Sequence, residues 1–314
     1  MFNSKVLNLG THLYSNGDPV LVERHIGANL YLAIARLFVS IKYNYPMQIF
    51  DGKKEAEKLD KIIQSHLKRY PYERKLAIVQ IGNDLSSDKF IDIKVRLCKR
   101  LGIRTHVYKI NDKTLSDKGI FKVVEDIFKD REVLGGIVQL PLPRKSLYKV
   151  LDLIPIDKDV DVISTEGKKR FYSGDFNILP PVVRALNRFI EVNNIDLNNL
   201  KVTVVGDGDL VGKPIAYYLS KQKANVNVLS NYDGECKIDC QLLILSAGVS
   251  NLVKGQNIKD ACSVIDYGSS IVDGKCVGDF DMNSSLDHLD FVSKSPGGVG
   301  PLAVRYLIMN LLGI

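Results

Sequence analysis

The sequence predicts an α/β protein built as two domains around a cleft, and three observations predict it. Buried-strand patterns alternate with amphipathic helix patterns from Asp51 onward, as parallel strands joined by helical crossovers do. A second series of the same kind follows Pro181 and contains a glycine-rich turn, Gly206–Gly212. The chain has 314 residues, comfortable for two cores and long for one.

The elements follow in order. Residues 1–46 carry no motif and read as an extension of unassigned role. Within it, Leu30, Ile34, Leu37 and Ile41 recur at helical spacing and predict a helix over residues 27–42. Asp51 is placed to cap a helix running to about Arg69. The run KLAIVQI, Lys75–Ile81, reads as a buried strand. Ser86 and Ser87 open a helix to Leu101, Ile103–Ile110 is a strand and Leu115–Lys129 a helix. Leu134–Leu140 is another buried strand and Leu147–Leu153 a short helix. Residues 154–180 read as irregular, too long for an idle connection, and so as a domain crossing or a site loop. A helix follows over Pro181–Val192. The second series places strands at Lys201–Val205, Val226–Leu229, Leu242–Leu245 and Cys262–Tyr267, with helices over Val211–Lys221 and Leu302–Leu312. The expected layout is a three-layer α/β domain over 47–180, completed by the C-terminal helix over 301–314, and a second domain over 181–300.

Composition narrows the class. Apolar residues make up 45% and charged residues 25%, as in a globular protein. No apolar run reaches the ~18–20 residues of a membrane span, and no secretory leader pattern opens the chain. A cytoplasmic location is expected, with organellar import left open. The net charge of +7 is spread through helices without interleaved aromatics, which argues against nucleic acid as a partner. The five cysteines form no C-x-x-C and the histidines number five, so no metal site is expected.

The second domain opens on a strand, Val204–Val205, that runs into Gly206-Asp207-Gly208-Asp209-Leu210-Val211-Gly212 and then a helix. Gly206 permits the tight turn, Gly208 lets a diphosphate approach the backbone, and Gly212 allows close helix–sheet packing. The helix N-terminus adds amides and positive dipole. This is a Rossmann-type dinucleotide signature. Two features oppose it. Asp207 and Asp209 put negative charge at the turn, and the next strand ends at Ser230-Asn231-Tyr232 with no arginine for a 2′-phosphate. Asp233 is the nearest acid for a ribose.

In the first domain, Phe90 and Lys94 stand four residues apart, on one helical face. A lysine enclosed in a cleft has its pKa lowered and becomes a base or a hydrogen-bond donor. Gln139 ends a buried strand at its carboxyl end, where open α/β sheets bind ligands. Asp157, Asp159 and Asp161 crowd the start of the irregular stretch. Taken singly, each also fits an ordinary role: a core ring beside a solvated charge, a glutamine satisfied by backbone, a solvated acidic turn.

Together and in this order the motifs resemble the methylenetetrahydrofolate dehydrogenase/methenyltetrahydrofolate cyclohydrolase family, from about Ile49 to the C-terminus. Asp51-Gly52-Lys53 matches its DGK opening. Ser87, Phe90 and Lys94 fall on S-x-x-Y-x-x-x-K, Val138–Pro143 on VQLPLP and Lys158–Asp161 on KDVD. Gly206–Pro214 is similar to GRSxxVGxP, Val264–Gly268 to VIDVG, and Gly278–Phe280 to GDV, while Pro296–Pro301 reads PGGVGP.

The resemblance implies a folate cleft between the domains and a homodimer using NADP or NAD, acting on tetrahydrofolate derivatives with or without a polyglutamate tail. It implies Lys94, Gln139 and Asp161 as catalytic residues. Lys94 acts at the one-carbon bridge, Gln139 contacts Lys94 or the folate, and Asp161 binds the pterin's donor edge. Ser87, Phe90, Leu140, Pro141, Pro296, Gly297 and Gly298 are the implied substrate contacts. The implied cofactor contacts are the turn residues Gly206, Asp207, Gly208, Asp209, Leu210 and Gly212, with Ser230, Asn231, Ala247, Gly248 and Ala303.

Departures from the family pattern fall mostly in the cofactor half. Phe90 takes a tyrosine's place, Val162 the glycine of KDVDG, and Pro180–Val183 the usual PCTP. Asp207 and Gly208 stand where an arginine and a serine meet the cofactor, Ser230–Tyr232 where HSR reads a phosphate, and Ala303 where a threonine is usual. Each lost charge-assisted contact costs about 1.5–3 kcal/mol. The expected activity is both steps, methylene oxidation and methenyl hydrolysis. The alternatives are a cyclohydrolase that has lost hydride transfer and a non-catalytic binding or assembly protein.

Overall fold

The computed structural model of the chain describes residues 47–314; the helix expected over 27–42 lies outside them. Strand β1 (Gln48–Ile49) leads into helix α1 (Gly52–Arg69), and the Asp51 carboxylate accepts the Lys54 amide at 3.0 Å, as the capping expectation required. After β2 (Lys75–Ile81), helix α2 (Leu85–Leu101) is capped two residues before Ser86, where it was expected to open. Asp84, not a serine, accepts the Ser87 amide at 2.6 Å. β3 (Thr105–Ile110), α3 (Asp117–Lys129) and β4 (Val133–Val138) complete a parallel three-stranded sheet in the order β3–β2–β4. Residues 145–153 form a 3-10 helix.

The stretch read as irregular contains a helix, α4 (Thr165–Tyr172). Gly167 reads as a breaker in the sequence. Here it serves close approach, since a methyl group at that position would stand 2.5 Å from Asp159 Oδ2. Ser164 caps the helix, its hydroxyl accepting the Gly167 amide at 3.0 Å.

The second series runs α5 (Pro181–Val192), β5 (Lys201–Val205), α6 (Gly212–Lys221), β6 (Asn225–Leu229), β7 (Leu242–Leu245), β8 (Val253–Lys254) and β9 (Ser263–Asp266). The hairpin β10 (Ser270–Val272) and β11 (Lys275–Val277), then β12 (Phe280–Asp281), β13 (Phe291–Ser293) and α7 (Gly300–Leu312) follow. The sheet is six-stranded and parallel, ordered β1–β13–β9–β7–β5–β6. The short strands β1 and β13 were not foreseen, because two or three residues are too few for a period to show. β1 belongs by sequence to the first half yet pairs with β13, Gln48 opposite Phe291.

The inner strands β2, β7 and β9 are covered on both faces and read as largely apolar runs, while the edge strands β3 and β6 are partly exposed and mixed in character. On β2, Leu76 and Ile78 point to one core, Ala77 and Val79 to another. The first of these cores is shared between the halves. It joins Leu76 and Ile78 to Val202 and Ile244 through Leu59, Phe189 and Leu307 on α1, α5 and α7. Arg305 of α7 binds both carboxylate oxygens of the largely buried Asp60 on α1, at 3.0 and 3.1 Å. The halves therefore meet through three helices, with the carboxyl ends of β4, β7 and β9 facing one cleft.

Candidate active site

A cavity of about 430 Å³ lies in this cleft, a size suited to a small-molecule ligand. Its wall from the first half begins on α2, which places Phe90 and Lys94 on one face, both half-buried. The ladder continues one residue past β4, where the Gln139 amide donates to Val79 O at 2.8 Å. That bond delivers the Gln139 side chain to the cleft. Lys94 Nζ donates to Gln139 Oε1 at 2.9 Å, and Gln139 Nε2 donates to Leu140 O at 2.8 Å.

Asp161 lines the same cavity without touching Lys94 directly. The loop carrying it is tied down by its neighbours. Lys158 Nζ donates to Phe128 O and Asp130 O at 2.7 and 3.0 Å. Asp159 accepts the amides of Ile163 and Ser164 and the Ser164 hydroxyl. Of the crowded acids, Asp159 is structural and Asp161 faces the cleft. Burial draws the Lys94 pKa below the ordinary lysine value, with the Asp161 charge opposing the shift. Burial pushes Asp161 up to about 6, with the Lys94 charge holding it down and Asp159 adding to the rise.

The other expected substrate contacts divide. Leu140 lines the cavity, and the buried Ser87 reaches its carbonyl at 3.4 Å. Pro141 does not; it faces a separate depression beside Gly82 and Asp112. Pro296, Gly297 and Gly298 are also outside the cavity lining. Gly298 packs against the start of α1, where a methyl group on Gly52 would stand 1.6 Å from Gly298 O. The backbone of Gly297 and Gly298 approaches that of Gly52 rather than the cavity.

Val162 adjoins Asp161 with φ of 57°, the left-handed region. A β-branched residue pays a steric cost there that glycine avoids. The position is the one where KDVDG has its glycine.

On the opposite wall the glycine turn behaves as its spacing predicts. Gly206 has φ of 93°, and a methyl group on Gly212 would stand 2.0 Å from Gly206 O. Nothing lies within 4 Å of a methyl group placed on Gly208, so the space above it is open. Asp209, Leu210 and Val211 line the cavity, while Asp207 is exposed outside it. Asp209 is bound to Lys213 at 2.6 Å, one turn along α6.

The remaining cofactor candidates are scattered. Ser230 and Asn231 line a different depression at the end of β6. Ala303 packs against the shared core outside the cavity. Ala247 and Gly248 follow β7, and Gly248 lines the cavity, but their amides donate to Asp279 Oδ2 at 2.7 and 3.0 Å. Asp266 Oδ1 in turn accepts the amides of Gly268 and Asp279 at 2.7 and 3.2 Å. These two buried acids therefore shape the loops after β7 and β9 from behind. Burial raises the pKa of both, to about 7 for Asp266, against the lowering effect of those backbone bonds.

Sequence reasoning missed Lys168 and Tyr172 on α4, and Tyr267 after β9, all of which line the cavity. The Tyr267 hydroxyl donates to Val182 O on α5 at 2.8 Å, a bond within the second half. The signal for α4 was present in Ser164 as a cap and Phe171 as its buried residue.

Two family models match this chain. Residues 50–161 match the tetrahydrofolate dehydrogenase/cyclohydrolase catalytic domain, and residues 180–314 the NAD(P)-binding domain of the same family. The chain belongs to the tetrahydrofolate dehydrogenase/cyclohydrolase family. It is similar to the bifunctional protein FolD of Hydrogenobaculum sp., 33% identical over 272 residues, covering 85% of this chain and 98% of that one. The FolD protein of Caldanaerobacter subterraneus is 31% identical over 268 residues, 84% and 95% of the two chains. Among solved structures, the bifunctional enzyme FolD of Campylobacter jejuni superposes with a TM-score of 0.77 at 27% identity, covering 85% of this chain and 97% of that one. Within the family's two-domain frame, the residues at the glycine turn fit a dinucleotide diphosphate: an open space over Gly208 and a helix start with no side-chain cap. The tip of β6 offers a hydroxyl and an amide rather than a cation.

Proposed function

We propose that this chain interconverts one-carbon forms of tetrahydrofolate, oxidising 5,10-methylenetetrahydrofolate with NADP or NAD and hydrolysing 5,10-methenyltetrahydrofolate to 10-formyltetrahydrofolate. The observation that carries this reading is the convergence of Lys94, Gln139 and Asp161 on one cavity that also touches the glycine turn. In hydrolysis, water oxygen bonds to the methenyl carbon and the carbon–N5 bond breaks. One proton goes to the freed N5 and the other leaves. Lys94 is the group suited to take it, because burial lowers its pKa toward the working range of a base. Gln139 holds the amine in place and is itself held by Leu140 O. The Asp161 carboxylate accepts the pterin's N–H donors, and the Phe90 ring stacks on the benzoyl ring. A bound nicotinamide dinucleotide supplies the hydride acceptor for the oxidation. The chain's part in that step is alignment across the cleft.

Lys94→Met tests the reading. Methenyl hydrolysis should fall by about 10²–10⁴-fold with circular dichroism unchanged, and a variant that hydrolyses at the parent rate refutes it. A second reading, hydrolysis alone, is favoured by Asp207 and Asp209 at the turn and the missing cation at the tip of β6. Calorimetry with NADP and NAD separates the two. We further expect a cytoplasmic homodimer that accepts folates with or without a polyglutamate tail. Among the described residues, no helix is long and apolar enough to cross a membrane.

A further inference from the structure

We propose that Lys168 supplies the positive charge for the dinucleotide diphosphate from across the cleft, in place of a cation on the glycine turn. A diphosphate brings two negative charges to the start of α6. The turn itself meets them with two carboxylates, Asp207 and Asp209. The nearby lysine on α6, Lys213, is already bound to Asp209 at 2.6 Å. The turn thus offers backbone amides and an open space over Gly208, but no uncommitted side-chain cation.

Lys168 is in the opposite situation. It stands on α4, in the first half, and lines the same cavity as Asp209, Leu210 and Val211. It is half-buried, and among the described residues its amine has no hydrogen-bond or ionic partner within reach. It lies close enough to the turn to act on it. The Asp209 pKa is lowered chiefly by Lys213, and the Lys168 charge adds to the effect. An ammonium that faces the cavity with no hydrogen bond or ion pair of its own is free to bind a phosphate oxygen. Because Lys168 belongs to α4 and the amides to α6, a diphosphate held between them ties the two walls of the cleft together. The charge lost from the turn is then replaced by one from the facing wall, at a position with no motif to announce it.

This inference rests on the cofactor reading above, and the experiment separates the two. Dissociation constants of NAD, NADP and ADP are measured by calorimetry for the parent, Lys168→Gln and Lys168→Arg, alongside the folate dissociation constant and methenyl hydrolysis. Lys168→Gln is expected to weaken all three nucleotides by about 10–100-fold. Lys168→Arg is expected to restore most of that affinity, and the parent's loss of affinity with added salt to be shallower in Lys168→Gln. Any fall in folate affinity or hydrolysis is smaller than the fall in nucleotide affinity, because Lys168 makes no contact with Lys94, Gln139 or Asp161. A parent that binds none of the nucleotides overturns the cofactor reading itself. Parent-like nucleotide affinity in a folded Lys168→Gln, or a loss confined to folate, overturns the role of Lys168.

Discussion

The two walls of the cleft have kept different things. The first-half wall keeps the chemistry of its motifs: Lys94 reaches Gln139 at 2.9 Å, and Asp161 faces the same space. The second-half wall keeps the shape of its motif but not its charge. Gly206 and Gly212 form the tight turn and close packing, while Asp209 is held by Lys213 and Asp207 stands outside the cavity. The difference follows from what each motif depends on. This turn is fixed by backbone sterics, since Gly206 sits at φ of 93° and Gly212 has no room for a methyl group. Phosphate affinity depends on exposed side chains that can be exchanged, or supplied from another element, without disturbing the fold.

The sharpest way to break this contrast is at Asp161. Asp161→Asn should weaken folate binding by about 100-fold, since charge-assisted hydrogen bonds to the pterin become neutral ones. Its pH dependence has a defined sign. The carboxyl pKa is raised to about 6, so the ionised acceptor is present above that pH and is lost below it. Parent affinity should therefore fall by about tenfold per pH unit below 6, and Asp161→Asn should show no such limb. Titration of folate binding between pH 5 and 8 checks both. The second wall is sharpened by Asp207→Arg, which returns a cation to the turn. NADP affinity should rise by about tenfold, with methenyl hydrolysis unchanged; an equal or lower affinity by calorimetry contradicts the account of that wall. The smallest effect is expected at Val162→Gly. Relief of left-handed strain, about 1–2 kcal/mol, opposes lost burial and the entropy of glycine. Thermal denaturation should place the variant within about 1 kcal/mol of the parent. A loss of several kcal/mol, as when a well-packed buried side chain is deleted, contradicts the strain.

How much of the site was legible followed the same division. Phe90, Lys94 and Gln139 were placed by helical spacing and a strand end, which put their side chains in predictable directions, and Leu140 by the family motif alone. Asp161 was nameable by motif, but its separation from Asp159 was not. That required the backbone bonds by which Asp159 holds Ile163 and Ser164. Pro141 and Pro296–Gly298 belong to strong motifs and still lie off the cavity, Pro141 at a separate depression and Gly297 and Gly298 against the backbone of Gly52. Lys168 and Tyr172 were missed because Gly167 outweighed the cap at Ser164 and the apolar Phe171 that mark the helix carrying them. Asp279 escaped because its partners, the Ala247 and Gly248 amides, are distant in sequence.

By itself the sequence determined the two parallel sheets, the helices that cover them and the glycine turn, since period, caps and backbone sterics are local properties of the chain. Only the tertiary structure decided that Gln48 and Ile49 close the sheet of the far half, that a core is shared through α1, α5 and α7, and which charges meet in the cleft. Pairing joins residues as distant as Gln48 and Phe291, and the charges of the cleft come from separate elements, so no local pattern encodes which distant partner a buried group will find.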